Sequence, residues 1–184
     1  MRVSHAAGMS TTQKASVIPF IVRAEGAGVA QRLTTAGSPA HTFETDAYPA
    51  FGGRDAAPSP LFYALGALPS CNQVTASLVA KSLGIHLGNW KFEIQGDLDT
   101  AVLVQGAPGN ANFERVTVRA TVETDATEEQ FATFVAETAR RCPVTQLFQR
   151  SGLVFENVWS RAPLNDARVA AAQGSSSSSS SARA

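Results

Sequence analysis

The longest patterned stretch of the chain runs over residues 58–84. Leu61, Leu65, Leu68, Val74, Leu78, Val79 and Leu83 recur there at helical spacing, which predicts a long helix with one nearly continuous apolar side. Pro58 and Pro60 suit its entrance, where a missing N–H costs little, and Gly84 suits its exit. Pro69 stands inside it. A proline there removes one backbone hydrogen bond and crowds the preceding turn, at a cost of about 3 kcal/mol. The helix therefore kinks at Pro69 or restarts at Pro69 or Ser70. A restart puts Cys71 in a first turn, where free N–H groups favour a thiolate. A kink leaves Cys71 a buried, inert thiol.

The flanking pattern changes period. Residues 17–22 form a short β-type run in which Pro19 suggests an edge strand, and 25–28 read as a turn. Residues 29–35 and 41–45 read as two more strands around a turn at 36–39, and 50–57 as a flexible loop into the long helix. Beyond that helix, Trp90, Phe92 and Ile94 alternate with polar residues in a strand over 90–95. Residues 97–112 read as a long connection, and 113–123 as a strand burying Val116, Val118, Ala120 and Val122 that pairs with 90–95. Thr127 and Gln130 make a capping box for a helix with Phe131, Phe134, Val135 and Ala139 on one side and Arg140 and Arg141 at its end. Pro143 suits the first position of another helix, so Cys142 falls at its N-cap with a lowered pKa. Gly152 ends that helix, and 153–159 form the closing strand. The order β-β-β-α-β-β-α-α-β is an α+β fold, not a doubly wound one.

Composition narrows the function more than the fold. The 184 residues suffice for one domain, expected over 17–160. Residues 1–16 are expected to be disordered or to follow from an upstream start codon, with Met9 as the other candidate start; Arg2, Lys14 and several serines there resemble an organelle transit peptide. Residues 161–184, ending in a serine run, are expected to be a disordered tail. Lys plus Arg and Asp plus Glu both number 15, so nothing recommends a nucleic acid or an anionic membrane as partner. No apolar run approaches the roughly 18 residues of a membrane span. Two cysteines do not make a secreted disulfide scaffold, and a reducing, cytoplasmic setting is expected. His5, His41 and His86 have no paired acids at zinc-like spacing, so no metal or other cofactor is expected. Gly26, Gly28, Gly52 and Gly53 lack a strand-turn-helix context and read as turns.

Cys71 and Cys142 remain as the chemical candidates. They can exchange thiol and disulfide states only if the fold brings their Cα atoms within about 4.4–6.8 Å. A thiol that reduces a peroxide needs ionisation, a cation to stabilise it, and a second thiol to capture the sulfenic acid.

Several motifs resemble the OsmC/Ohr family, osmotically inducible protein C and organic hydroperoxide resistance protein. They are Pro58-Ser-Pro-Leu-Phe-Tyr leading to Leu68-Pro-Ser-Cys71-Asn-Gln-Val-Thr, Gly52-Gly53, Phe92-Glu-Ile-Gln-Gly-Asp-Leu-Asp99, and Arg140-Arg-Cys-Pro-Val144. The resemblance covers residues 17–159 and implies antiparallel sheets packed on a long central cysteine-bearing helix, in an intertwined homodimer with active sites at the interface. It implies a peroxidatic Cys71, a resolving Cys142, an organic hydroperoxide substrate and an external dithiol reductant. It also implies an activating arginine from the N-terminal strands, best matched by Arg32, with Arg23 and Arg54 as competitors. The family holds that arginine with an acid at the start of the cysteine helix. Phe62 stands at that position here, so Asp55 or Glu44 would have to substitute. That departure leaves a second reading open, a non-catalytic dimer of the same fold that binds apolar ligands or senses redox state.

Overall fold

A computed structural model of the chain describes residues 16–165. The expected N-terminal disorder, apart from Ser16, and the tail beyond 165 lie outside the described residues. The described residues fall into two compact units that divide between Ser59 and Pro60.

The N-terminal unit is an antiparallel sheet of β1 (Val22–Ala27), β2 (Ala30–Thr35) and β3 (Thr42–Thr45), in that order. The expected strand over 17–22 instead begins at Val22, whose partner is Thr35, the last residue of β2. Residues 17–21 belong to no strand; Pro19 has no N–H to give a ladder. The turn expected at 25–28 is shorter, Gly28 and Val29, because Ala27 pairs with Ala30. Gly28 takes φ 63°, which suits glycine at the head of a two-residue hairpin. After β3 the chain wraps around Asp46, which is 2% exposed. Its carboxylate accepts N–H groups from Ala47 at 2.8 Å and from Arg54 and Ala56 at 3.1 Å each. The N–H groups of Ala56 and Ala47, with that of Arg54, hold the carboxyl below its usual range.

The C-terminal unit opens with α1 (Pro60–Leu83), which runs unbroken through Pro69. The expected restart does not occur. Leu68, Asn72, Thr75, Ala76, Val79 and Ala80 share one buried stripe, and that stripe stays in phase only if the helix continues past the proline. The stripe is also narrower than the apolar pattern suggests. Val74 is 65% exposed and Leu78 57%, so α1 carries a second apolar face opposite the core.

Beyond α1 lie β4 (Leu87–Leu98), β5 (Phe113–Thr124) and β6 (Val154–Ala162), in sheet order β4-β5-β6. β4 and β5 pair antiparallel, as expected. β6 pairs parallel to β5, so this sheet is mixed and not purely antiparallel. A parallel partner requires a crossover. It is made by α3 (Glu128–Arg141), opened by the Thr127–Gln130 capping box, and α4 (Pro143–Arg150). The connection over 97–112 contains a helix that the sequence pattern did not suggest, α2 (Thr100–Gln105). Asp99 caps it through the Ala101 N–H, and Gly106 closes it at φ 67°. Its six residues are too few to establish a period. β6 likewise runs past Trp159 to Ala162, where Arg161 donates to the Ala126 carbonyl at 2.9 Å.

Two apolar clusters fix α1 against this sheet. One joins Ala76, Val79, Ala80, Ile85, Val122 and Phe134, roofed by Trp90 and Trp159. The other joins Leu68, Val116 and Val118, flanked by Leu65, Val144 and Phe148. Gly96 sits at the edge of the second, where an added Cβ would lie 2.8 Å from the Phe113 ring and 3.1 Å from Leu65. Gly96→Ala is therefore expected to destabilise the protein by about 1–3 kcal/mol through overpacking, read as a lower denaturation midpoint in urea. An unchanged midpoint would mean that the Phe113 ring yields freely.

Candidate functional site

Cys71 lies in the middle of α1 and Cys142 at the N-cap of α4. Because α1 does not restart, Cys71 has no first-turn N–H groups of its own helix to stabilise a charge. Cys142 does: its sulfur accepts the backbone N–H of Thr145 at 3.5 Å. Packing of α4 on α1 brings the two thiols close enough for each to shift the other's ionisation. Both are free thiols; Cys142 is fully buried and Cys71 half-buried.

A buried polar cluster surrounds the pair. The Thr75 hydroxyl, one helical turn beyond Cys71, lies near enough to both sulfurs to favour their anions. Asn72, fully buried, donates through Nδ2 to the Leu68 carbonyl at 2.9 Å. The Thr145 hydroxyl, also fully buried, donates to Asn72 Oδ1 at 3.0 Å. Asn72, Thr75 and Thr145 escaped the sequence reading. The signal was there: in a helix rich in apolar residues, polar side chains one and four places after Cys71 fall on the buried stripe.

The environment divides the two thiols. Burial pushes Cys71 up. The Val144 N–H opposes this, but Cys142 adds to the rise as a neighbour that carries charge first. Burial acts upward on Cys142 too. The Thr145 hydroxyl and N–H, with Cys71 and Thr75, outweigh it and bring Cys142 below the ordinary thiol value. The lowered value expected for a cysteine at the α4 N-cap is thus present, and the one that a restart would have given Cys71 is not.

The arginine candidates all lie in the N-terminal unit. Arg32 pairs with Glu44 at 2.7 Å, directly across the β2–β3 register. Glu44 is therefore an acid that holds Arg32, with Phe62 exposed at the start of α1. Arg23 is in β1, and Arg54 is in the loop around Asp46. Asp55 takes φ 55° in that loop. A hollow of about 270 Å³ in this unit is lined by Glu25, Arg32, Glu44, Asp46 and Arg54 among others. Elsewhere His86 Nδ1 meets Asp125 Oδ2 at 2.6 Å, and His41 is exposed. His5 lies outside the described residues. Among the described residues, no three His, Cys, Asp or Glu side chains group to hold a metal ion. No helix among them is long and apolar enough to cross a membrane.

Comparison with known proteins places the chain in a family. The model of the OsmC-like protein family matches residues 52–156, more than half of the chain and a span that includes both cysteines. The chain belongs to the OsmC-like family. No curated protein matches it. Solved structures share its fold at low sequence identity. An OsmC-like protein from Mycoplasma pneumoniae superposes with a TM-score of 0.64 at 16% identity, over 80% of this chain and 99% of that one. An organic hydroperoxide resistance protein OsmC from Legionella pneumophila does so at 0.61 and 16%, over 79% and 99%. One from Elizabethkingia anophelis gives 0.62 and 17%, over 80% and 99%. At such identities the likeness establishes the OsmC-like α+β fold alone.

The division of charge has a direct test, ultraviolet titration of the thiolate in single-cysteine variants. In Cys71→Ser, Cys142 is expected to ionise below the ordinary thiol value of 9.0; in Cys142→Ser, Cys71 is expected to ionise above it. The sign for stability follows: what Cys142 contributes is full above the pKa of the unfolded thiol and is lost as pH falls through its lowered folded value. Cys71 ionising first would reverse the assignment.

Proposed function

We propose that this OsmC-like protein is a homodimeric, cofactor-free thiol peroxidase that reduces organic hydroperoxides to alcohols. The observation that carries the reading is the interaction between two free thiols, one on α1 and one capping α4, within a family that includes organic hydroperoxide resistance proteins.

The thiolate of Cys71 attacks the outer peroxide oxygen. The O–O bond breaks, the departing alkoxide takes a proton and leaves as alcohol, and Cys71 becomes a sulfenic acid. The Cys142 thiolate attacks the Cys71 sulfur and expels the hydroxyl as water, with a proton from the medium. An external dithiol then reduces the disulfide by two exchanges. A Cys142 already biased towards the anion suits the second step. Arg32, held by Glu44, supplies the cation that favours the anion on Cys71. Apolar residues on α1 before Cys71 (Leu65, Leu68) and just after Cys142 (Val144) suit an alkyl hydroperoxide better than hydrogen peroxide. We place the protein in the cytoplasm, where such a dithiol is at hand.

Turnover of an alkyl hydroperoxide with a dithiol reductant tests this. The wild type is expected to turn over, and Cys71→Ser to be inactive. With the dithiol left out, Cys142→Ser should consume one equivalent and stop as a sulfenic acid that dimedone traps, where the wild type stops as the disulfide. Arg32→Ala should lower kcat/KM by roughly a hundredfold. A wild type without turnover, or a fully active Cys71→Ser, sinks the reading.

The homodimer draws support from the second apolar face of α1. Val74 and Leu78, one turn apart on that face, are more than half exposed on the one chain, an arrangement that a partner helix would cover. Sedimentation is expected to give a dimer, and Val74→Glu with Leu78→Glu a monomer; a monomeric wild type overturns this part. The exposed Phe62 in place of the family acid favours the second reading, a binding or redox-sensing dimer. That protein would form the Cys71–Cys142 disulfide and still fail the turnover assay.

A further inference from the structure

The cluster beside the thiols contains a competition that the proposed chemistry does not use. Thr145 presents two donors within one residue. Its backbone N–H points at Cys142 Sγ from 3.5 Å, and its side-chain hydroxyl lies within reach of that sulfur. The hydroxyl has one proton, and its geometric partner is Asn72 Oδ1 at 3.0 Å. Asn72 cannot turn its amide around without loss, because Nδ2 is engaged with the Leu68 carbonyl at 2.9 Å. Asn72, Thr145 and Cys142 are all fully buried, so water does not offer either acceptor an easy substitute.

We infer that Thr145 is a positioning residue for Cys142 and that Asn72, next to Cys71 in α1, competes with the Cys142 sulfur for the Thr145 hydroxyl proton. With Cys142 protonated, the hydroxyl donates to Asn72 and its free lone pair faces the thiol. With Cys142 ionised, the sulfur is the stronger acceptor and the hydroxyl turns to it, at the expense of Asn72. The same bond that ties α4 to α1 therefore holds back part of the stabilisation of the anion. Cys71 is the titratable group that acts on Cys142; Thr75 and Thr145 are neutral. On the last turn of α3, Arg140 is engaged by Glu137 at 2.8 Å, and Arg141 is exposed.

The competition predicts shifts of opposite sign. The inference deepens the reading of Cys142 as a resolving thiol, and its use in catalysis rests on that reading. The test needs no peroxide, so its failure and a failure of turnover are separate results. In a Cys71→Ser background, the ultraviolet thiolate titration then reports Cys142. Thr145→Val should move its midpoint up, with about a tenfold loss in the ratio of thiolate to thiol at a given pH. Thr145→Ser should restore it. Asn72→Leu, which removes the competing acceptor, should move the midpoint down. Movement of Thr145→Val and Asn72→Leu in the same direction, or no movement with Thr145→Val, overturns the inference. Should Thr145→Val fail to fold, Asn72→Leu decides alone, and a midpoint that does not fall overturns it.

Discussion

The parallel pairing of β6 with β5 is the constraint from which the site follows. Two parallel neighbours cannot be joined by a tight turn, so the chain must travel back along the sheet before β6 can form. α3 and α4 are that return path, and both pack on α1. The break between them falls at Cys142, where α3 ends and α4 begins ahead of Pro143. The N–H groups freed at the break are what a sulfur anion needs. Pro143 fixes where they start: the Thr145 N–H faces Cys142, and the Val144 N–H acts on Cys71. Topology, packing and the ionisation of one thiol are here one connected cause.

The parts of this arrangement that could be read from the sequence are those governed by neighbours along the chain. The Thr127 capping box, the Pro143 entrance and the alternation of Val116, Val118, Ala120 and Val122 are local signals, and each corresponds to an element of the structure. The family motifs are local too, and the match over residues 52–156 agrees with them. What local signals could not supply were the decisions taken elsewhere in the fold. Whether Pro69 ends a helix depends on whether the stripe on both sides of it is wanted by one surface; Leu68 and Asn72 straddle the proline and share that surface. Whether β6 joins β5 parallel or antiparallel is not written in β6. The Asn72–Thr145 bond joins residues 73 positions apart and depends on the crossover being in place.

α1 shows the same distinction in its composition. Its apolar residues suggested one greasy side, yet the buried stripe includes Asn72 and Thr75, while Val74 and Leu78 face outwards. A helix with a polar patch in its core stripe and apolar residues on its open side has two separate demands on it. The polar patch is explained within one chain, because each of its groups has a partner at the thiol pair. The open apolar face has no such explanation within the C-terminal unit. It calls for a second surface, as the proposed homodimer provides.

The division of charge between the sulfurs puts a condition on the proposed chemistry. Attack on a peroxide from Cys71 requires the negative charge on that sulfur, but the donors built into the C-terminal unit favour it on Cys142. The two thiols interact, so moving the charge means moving one proton from one to the other, and an external bias must drive it. The neutral donors present do not supply that bias: Thr75 serves both sulfurs, Thr145 serves Cys142, and the Val144 N–H on Cys71 is outweighed by burial and by Cys142. A cation can, and only on the Cys71 side. The role proposed for Arg32 is therefore more than general stabilisation: it must select which of two thiols is the nucleophile. Glu44 in β3 holds the Arg32 guanidinium at 2.7 Å, and in the proposed scheme it takes the part of the acid that Phe62 replaces.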